Sequence, residues 1–182
     1  MIPDALITTD PAIRKAFAAD ASGIEMLPDA VARPREVAEV VELLRRATAD
    51  RMPVPAAGGQ RSMTGGSICD RGLLLSLRQM DKIIDIDRRA MTVTVGPGIG
   101  VADLKRQLAA EGLLFAPDPT SEEEAALGGA IACNASGARS LRYGAPRRHV
   151  NALTVVLASG ELVTVRRSRI EKNTVGNAAV QD

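Results

Sequence analysis

The chain has 182 residues, 46% of them hydrophobic, and a formal net charge of +1. A domain of that length buries most of the surface its unfolded chain exposes, so it needs neither a disulfide nor a metal to fold. Near-zero charge and an aromatic content of only 2% exclude the basic field and the stacking platforms of a nucleic-acid binder.

In chain order, residues 1–32 carry only a weak helical periodicity, at Ala12–Ala19. A stronger helix follows, with Pro34 in its first turn and Val37, Val40, Val41, Leu44 and Ala47 at helical spacing. Met52–Ala57 is a short apolar run that ends in a glycine-rich loop, Gly58–Gly66. Leu73–Leu77 predicts a buried strand. Ile83–Asp87 and Met91–Val95 predict two strands turning at Arg88-Arg89. A second helix starts near Val101, with Asp103 in its first turn, Leu104 and Leu108 on its buried stripe and Gly112 just past its end. A loop rich in proline and acid, Ala116–Glu124, leads into Leu127–Ser136, a stretch of small residues with a Gly-Gly step. Leu153–Leu157 and Leu162–Val165 flank Ala158-Ser159-Gly160-Glu161 as a hairpin, and Arg166–Asp182 is polar.

No internal repeat is present. The N-terminus lacks the basic and apolar regions of a signal peptide, and no apolar run approaches the roughly 20 residues of a membrane span. Cys69 and Cys133 lie far apart without metal-ligand spacing, which argues against zinc or a disulfide framework. The expectation is a soluble cytoplasmic protein, with peripheral contact to the inner face of a membrane as the widest alternative. The element order predicts an α+β fold of two lobes.

The glycine loop Ala57-Gly58-Gly59-Gln60-Arg61-Ser62-Met63-Thr64-Gly65-Gly66 follows a strand, where backbone amides can be aimed into one concavity. Arg61, Ser62 and Thr64 could add donors to an anion held there. A P-loop is excluded, because Ser67-Ile68 follows Gly66 where Lys-Ser/Thr is required. Gly96-Pro97-Gly98-Ile99-Gly100 misses the dinucleotide fingerprint, whose third glycine would fall at Val101, and reads as a tight strand-to-helix connection.

Together these segments resemble the FAD-binding domain of the vanillyl-alcohol oxidase / p-cresol methylhydroxylase superfamily, in its glycolate oxidase and D-lactate dehydrogenase type. The resemblance is carried by Pro34-Arg35-Glu36-Val37, Gly58–Gly66, Val95-Gly96-Pro97-Gly98 with Asp103-Leu104, Phe115–Ser121, Leu127–Gly137, Arg142-Tyr143-Gly144 and Val155–Glu161, in that order. It implies a small α/β lobe beside a larger, mainly antiparallel sheet with helices, all of 1–182 being one FAD-binding domain. It also implies that Gly58, Gly59, Gln60, Arg61, Ser62 and Met63 wrap the FAD pyrophosphate and that Gly65 and Gly66 shape the end of that loop. Pro119, Thr120 and Ser121 would lie along the flavin and ribityl chain. Gly128, Gly129, Asn134, Ser136 and Gly137 would form a second wall.

Departures from the family pattern carry expectations of their own. Arg61 stands where some relatives carry the histidine that links FAD covalently, so non-covalent FAD is expected. Ala57 replaces a common arginine, and Ala126 a threonine that donates to the cofactor. Glu171–Gly176 resembles the family's K-N-T-x-G-Y, with Asn177 in place of the tyrosine. The segment beyond it and the substrate domain, where the family places its substrate-orienting arginine and catalytic histidine, are absent from the sequence, so the domain is expected to be incomplete at its C-terminus and no catalytic residue is assigned. The implied function is oxidation of a 2-hydroxy acid by hydride transfer to flavin N5, with the substrate contacted through that missing domain and a protein or quinone as electron acceptor. Alternatives are a non-catalytic FAD-binding module and a relative of UDP-N-acetylenolpyruvoylglucosamine reductase.

Other candidates read as structural. His149 precedes a strand, Glu122–Glu124 reads as a solvated loop or helix start, and Cys133 among small apolar residues reads as a buried thiol. Tyr143 reads equally as packing and as a contact to flavin or substrate. Arg139, Arg142, Arg147, Arg148, Arg166, Arg167 and Arg169 read as a solvated basic surface rather than a docking face.

Overall fold

The structure is a computed structural model that describes residues 6–167. Glu171–Asn177 and Arg169 therefore lie outside the described residues. The first lobe is a four-stranded sheet. Its strands are β1 (Ile7–Thr8), β2 (Ala30–Ala32), β3 (Ala56–Ala57) and β4 (Leu73–Ser76), in the order β1-β2-β4-β3. β4 runs parallel to both its neighbours, and β1 is antiparallel to β2. Two helices serve this sheet, α1 (Pro11–Ala16) and α2 (Val37–Ala49).

Every residue of β4 is buried, because both faces are covered. Leu73 and Leu75 pack with Val40 and Leu43 of α2, while Leu74 and Val31 pack with Ala57, Ile13 and Phe17 on the other side. α2 begins at Val37, not at Pro34. The Glu39 carboxylate accepts the Arg35 and Glu36 amides at 2.7 and 3.1 Å, a local cap that fixes the start three residues beyond the proline. Met52–Ala57 contributes only Ala56–Ala57 as strand, since Pro53 and Pro55 have no amide to donate to a ladder.

The second lobe opens with the antiparallel pair β5 (Ile83–Asp87) and β6 (Thr92–Val95), followed by α3 (Val101–Ala110). A short helix that small-residue composition concealed, α4 (Leu127–Ala132), completes its core. Ile99, Val101, Leu104, Leu108, Ala125, Leu127 and Ala130 form that core, flanked by Ile83, Ile86, Val93 and Val95. After α5 (Ser140–Tyr143) and a 3-10 turn at Pro146–His149, the hairpin of β7 (Ala152–Val156) and β8 (Leu162–Arg166) closes the described chain. That hairpin leans on α2: Val156 joins the α2 core and Thr48 Oγ1 donates to Ala158 O at 2.5 Å. The fold is α+β with two lobes; of its two antiparallel hairpins, β5–β6 packs on the second lobe's core and β7–β8 on α2 of the first.

Candidate functional site

Two glycine-containing turns face each other's lobes, and their hydrogen bonding differs. In the turn from β6 to α3 the donors are committed. Gly96 donates to Lys82 O, Gly98 to Met80 O, Val101 to Ala125 O and Ala102 to Glu122 O, at 2.9–3.2 Å. Leu127 and Gly128 return the bonding by donating to Ile99 O and Pro97 O, both at 2.8 Å. This turn is therefore a structural clamp that fixes the start of α4 against α3.

The loop after β3 is the opposite case. Among the described residues, none of the backbone amides of Gly58, Gly59, Gln60, Arg61, Ser62 and Met63 donates to a protein acceptor. A row of amides without protein acceptors is available to an anion where the turn aims them into one concavity. The loop is held from outside its own backbone. Gln60, at φ +54°, donates from Nε2 to Phe17 O (3.0 Å) and Ser67 O (3.2 Å). Arg78, just past β4, donates from Nε to Gly58 O at 2.9 Å and from Nη2 to Gly59 O at 3.3 Å. Ser67 Oγ donates to Asp20 Oδ2 at 3.2 Å. Burial opposes ionisation of Asp20, but hydrogen bonds from Ser22, Ser67 and Gly65 outweigh it and hold the carboxyl below its usual value.

The second predicted wall lies against this loop. A Cβ added to Gly58 would stand 3.0 Å from Ala126 Cβ and 3.9 Å from Gly129 N, and one on Gly59 would collide with Glu124 O at 2.2 Å. Ser62 Oγ lies 3.9 Å from Cys133 Sγ. Gly128 packs on Pro97 and Gly137 on the Asp118 carbonyl, whereas Gly129 faces open space. The Asp118 carboxylate accepts the Arg139 amide at 2.9 Å, joining the Pro119-Thr120-Ser121 segment to Asn134–Gly137. Asn134, at φ +46°, accepts the Arg147 amide at 3.1 Å, and Ser136 is exposed. Gly65 takes φ +70°, and Gly66 is anchored to Thr64 Oγ1. The structure thus brings Glu124–Ala126, Gly129 and Cys133 beside the Gly58–Ser62 loop and separately joins Asp118 to Gly137 and Arg139, with the glycines at Gly59, Gly128 and Gly137 serving as points of backbone approach.

Sequence reasoning missed three participants. Arg78 gives no motif signal, because its role depends on where β4 ends. Glu124 pairs with Arg61 at 3.4 Å at the rim, both side chains about half exposed. Cys133 is exposed and not buried, because it caps α4 on the groove side. Depressions of about 370 and 390 Å3 flank the loop, both lined by Arg61 and Arg78. Glu122 and Glu123 pair with Lys105 and Arg106 of α3, so the acidic loop is a salt-bridged surface. Among the described residues no acidic, His or Cys cluster forms a metal site. His149 Nε2 is 3.0 Å from Tyr143 O, a structural contact, and the Arg142 guanidinium lies 5.2 Å from the half-buried Tyr143 ring. No helix among the described residues is long and apolar enough to cross a membrane.

The amide row, the guanidinium at its rim and the open Gly129 form a donor set and a space that fit a pyrophosphate-containing dinucleotide. Known proteins agree. Residues 28–166 match the family model described as an FAD binding domain. The chain is 36% identical over 140 residues to the glycolate oxidase subunit GlcD of Bacillus subtilis, covering 76% of this chain and 30% of the relative. It is 34% identical over 137 residues to a D-lactate dehydrogenase of Anaerostipes hadrus, covering 75% and 29%. It is 35% identical over 150 residues to a D-2-hydroxyglutarate dehydrogenase of Xanthomonas citri pv. viticola, covering 82% and 32%. The chain therefore spans about a third of the length of the curated relatives it matches. Among solved structures, an alkyldihydroxyacetonephosphate synthase superposes with TM-score 0.80 at 24% identity, over 94% of this chain and 36% of that one. The 6-hydroxy-D-nicotine oxidase of Arthrobacter nicotinovorans gives TM-score 0.74 at 22% identity, over 88% and 35%. The fold is shared with both, and the motif resemblance to the FAD-binding domain of glycolate oxidase and D-lactate dehydrogenase relatives is borne out. This chain belongs to the FAD binding domain family, and its cofactor is FAD.

Proposed function

We propose that this chain is the FAD-holding part of a flavin-dependent oxidoreductase that oxidises a small 2-hydroxy acid of the glycolate or D-lactate type. The observation that carries the reading is the contrast between the two turns: one commits its amides to the fold, while Gly58–Met63 leaves six in a row without a protein acceptor among the described residues, beside Gly129. In this reading those amides hold the pyrophosphate, Pro119, Thr120 and Ser121 line the ribityl and flavin portion, and Gly128, Gly129, Asn134, Ser136 and Gly137 form the facing wall. When bound, FAD supplies a hydride acceptor at N5 for the substrate's α-carbon. The chain's residues bind and orient the cofactor; contacts to the substrate come from the part of the relatives' length that this chain does not span. The named relatives act on glycolate, D-lactate and D-2-hydroxyglutarate, which supports the substrate class. A protein or quinone takes the electrons onward.

Arg61 pairs with Glu124 and offers no nucleophile to the flavin, which supports non-covalent binding. The test is titration with FAD, followed by flavin fluorescence. Uptake at micromolar concentration, with yellow flavin released by acid or heat, is the expected result. Colourless protein that takes up no FAD would refute the reading. Dye reduction by glycolate, D-lactate or D-2-hydroxyglutarate then tests the substrate class.

A further inference from the structure

We infer that Arg78, outside the glycine motif, is a positioning residue that turns the loop amides toward the cofactor's pyrophosphate. This rests on the reading of Gly58–Met63 as the pyrophosphate loop. Arg78 is anchored at its root, because Leu77 N donates to Ala57 O at 2.9 Å and β4 before it is fully buried. Its planar fork engages two consecutive carbonyls, Gly58 O at 2.9 Å and Gly59 O at 3.3 Å. All peptide bonds among the described residues are trans. In a trans peptide the carbonyl of one residue and the amide of the next point in opposite directions. Holding the carbonyls of Gly58 and Gly59 on the guanidinium therefore sends the Gly59 and Gln60 amides to the opposite side.

A Gly-Gly pair left alone samples both signs of φ. Binding would then have to order the loop as well as contact the anion, at a loss of affinity. Arg78 and the Gln60 side-chain ties remove that cost before the cofactor arrives. No carboxylate pairs with Arg78 among the described residues, so its donors serve the loop. A lysine could reach one carbonyl but could not present a fork to two.

Arg78→Ala and Arg78→Lys in this chain test the idea by FAD titration, phosphorus NMR of bound FAD and thermal melting. Arg78→Ala is expected to weaken FAD about 10- to 100-fold, the range for losing charge-assisted hydrogen bonds. Arg78→Lys should retain the melting temperature, fall between the two in affinity and shift the pyrophosphate resonances. Millimolar free guanidinium should restore part of the affinity of Arg78→Ala. A folded Arg78→Lys protein with FAD affinity within about twofold of wild type and unmoved resonances overturns the role of Arg78, whether or not the alanine variant folds. A wild-type chain that binds no FAD overturns the loop reading beneath it, and the role of Arg78 with it.

Discussion

Gly59 packs on the Glu124–Ala126 backbone while Gly129 faces open space, so the same substitution is expected to act on them in opposite senses. A Cβ on Gly59 would sit 2.2 Å from Glu124 O, 3.0 Å from Ala126 N and 3.1 Å from Ala125 Cα. Those are backbone atoms, and ordinary contact begins at 3.4 Å, so the loop and the Glu124–Ala126 segment must part by about 1.2 Å. Overpacking of that kind costs about 1–3 kcal/mol. In a chain of 182 residues this lowers the melting temperature by about 2–12 °C in Gly59→Ala. Gly129 has nothing within 4 Å of its added Cβ and lies inside α4. Alanine there gains up to about 1 kcal/mol of helix propensity, a rise of about 2–4 °C. The new methyl stands in the groove, however, and is expected to weaken FAD about tenfold or more, about 1.4 kcal/mol. Melting followed by circular dichroism and FAD titration by fluorescence quenching read both effects. If Gly129→Ala binds FAD as wild type does, the facing wall does not touch the cofactor. An unchanged melting temperature in Gly59→Ala would sink the close-approach argument.

Removing the rim carboxylate in Glu124→Gln should tighten FAD a few-fold by relieving repulsion of the pyrophosphate, with stability altered by less than about 1 kcal/mol because the Arg61 pair is half exposed; isothermal titration and melting check both. Cys133 should react quickly with a thiol reagent and be protected by saturating FAD, whereas Cys69, whose thiol burial pushes up, should react slowly and keep accelerating above the usual thiol value. Equal labelling of both, or no protection of Cys133, would count against the groove assignment. Because the folded Asp20 carboxyl is held below its unfolded value, its tie to Ser67 adds stability above the usual carboxylate range and loses it as pH falls through the depressed value. Asp20→Asn should flatten that acid limb of an unfolding curve, and a curve identical to wild type would refute the tie.

Periodicity was enough to place α2, α3, the buried β4 and both antiparallel hairpins, because each of these elements shows its own apolar spacing. It did not reveal β1, β2 or α4. β2 is three residues long, β1 is two, and α4 is built of Leu, Gly, Ala and Ile, whose helical state is set by the clamp from Pro97 and Ile99 and not by propensity. The resemblance supplied the candidate wall residues, but not which glycines face space and which face backbone.

What the residues alone determined was the class of protein: small-residue segments in a fixed order, a glycine loop after a strand, and a charge and aromatic content without the basic field or stacking platforms of a nucleic-acid binder. Only the tertiary structure decided which glycine loop has amides without acceptors among the described residues, that Arg78 and Gln60 hold that loop, and that Cys133 is exposed beside Ser62. The reason is that a hydrogen bond's partner is fixed by segments distant in sequence, so a donor's freedom cannot be read from its neighbours in the chain.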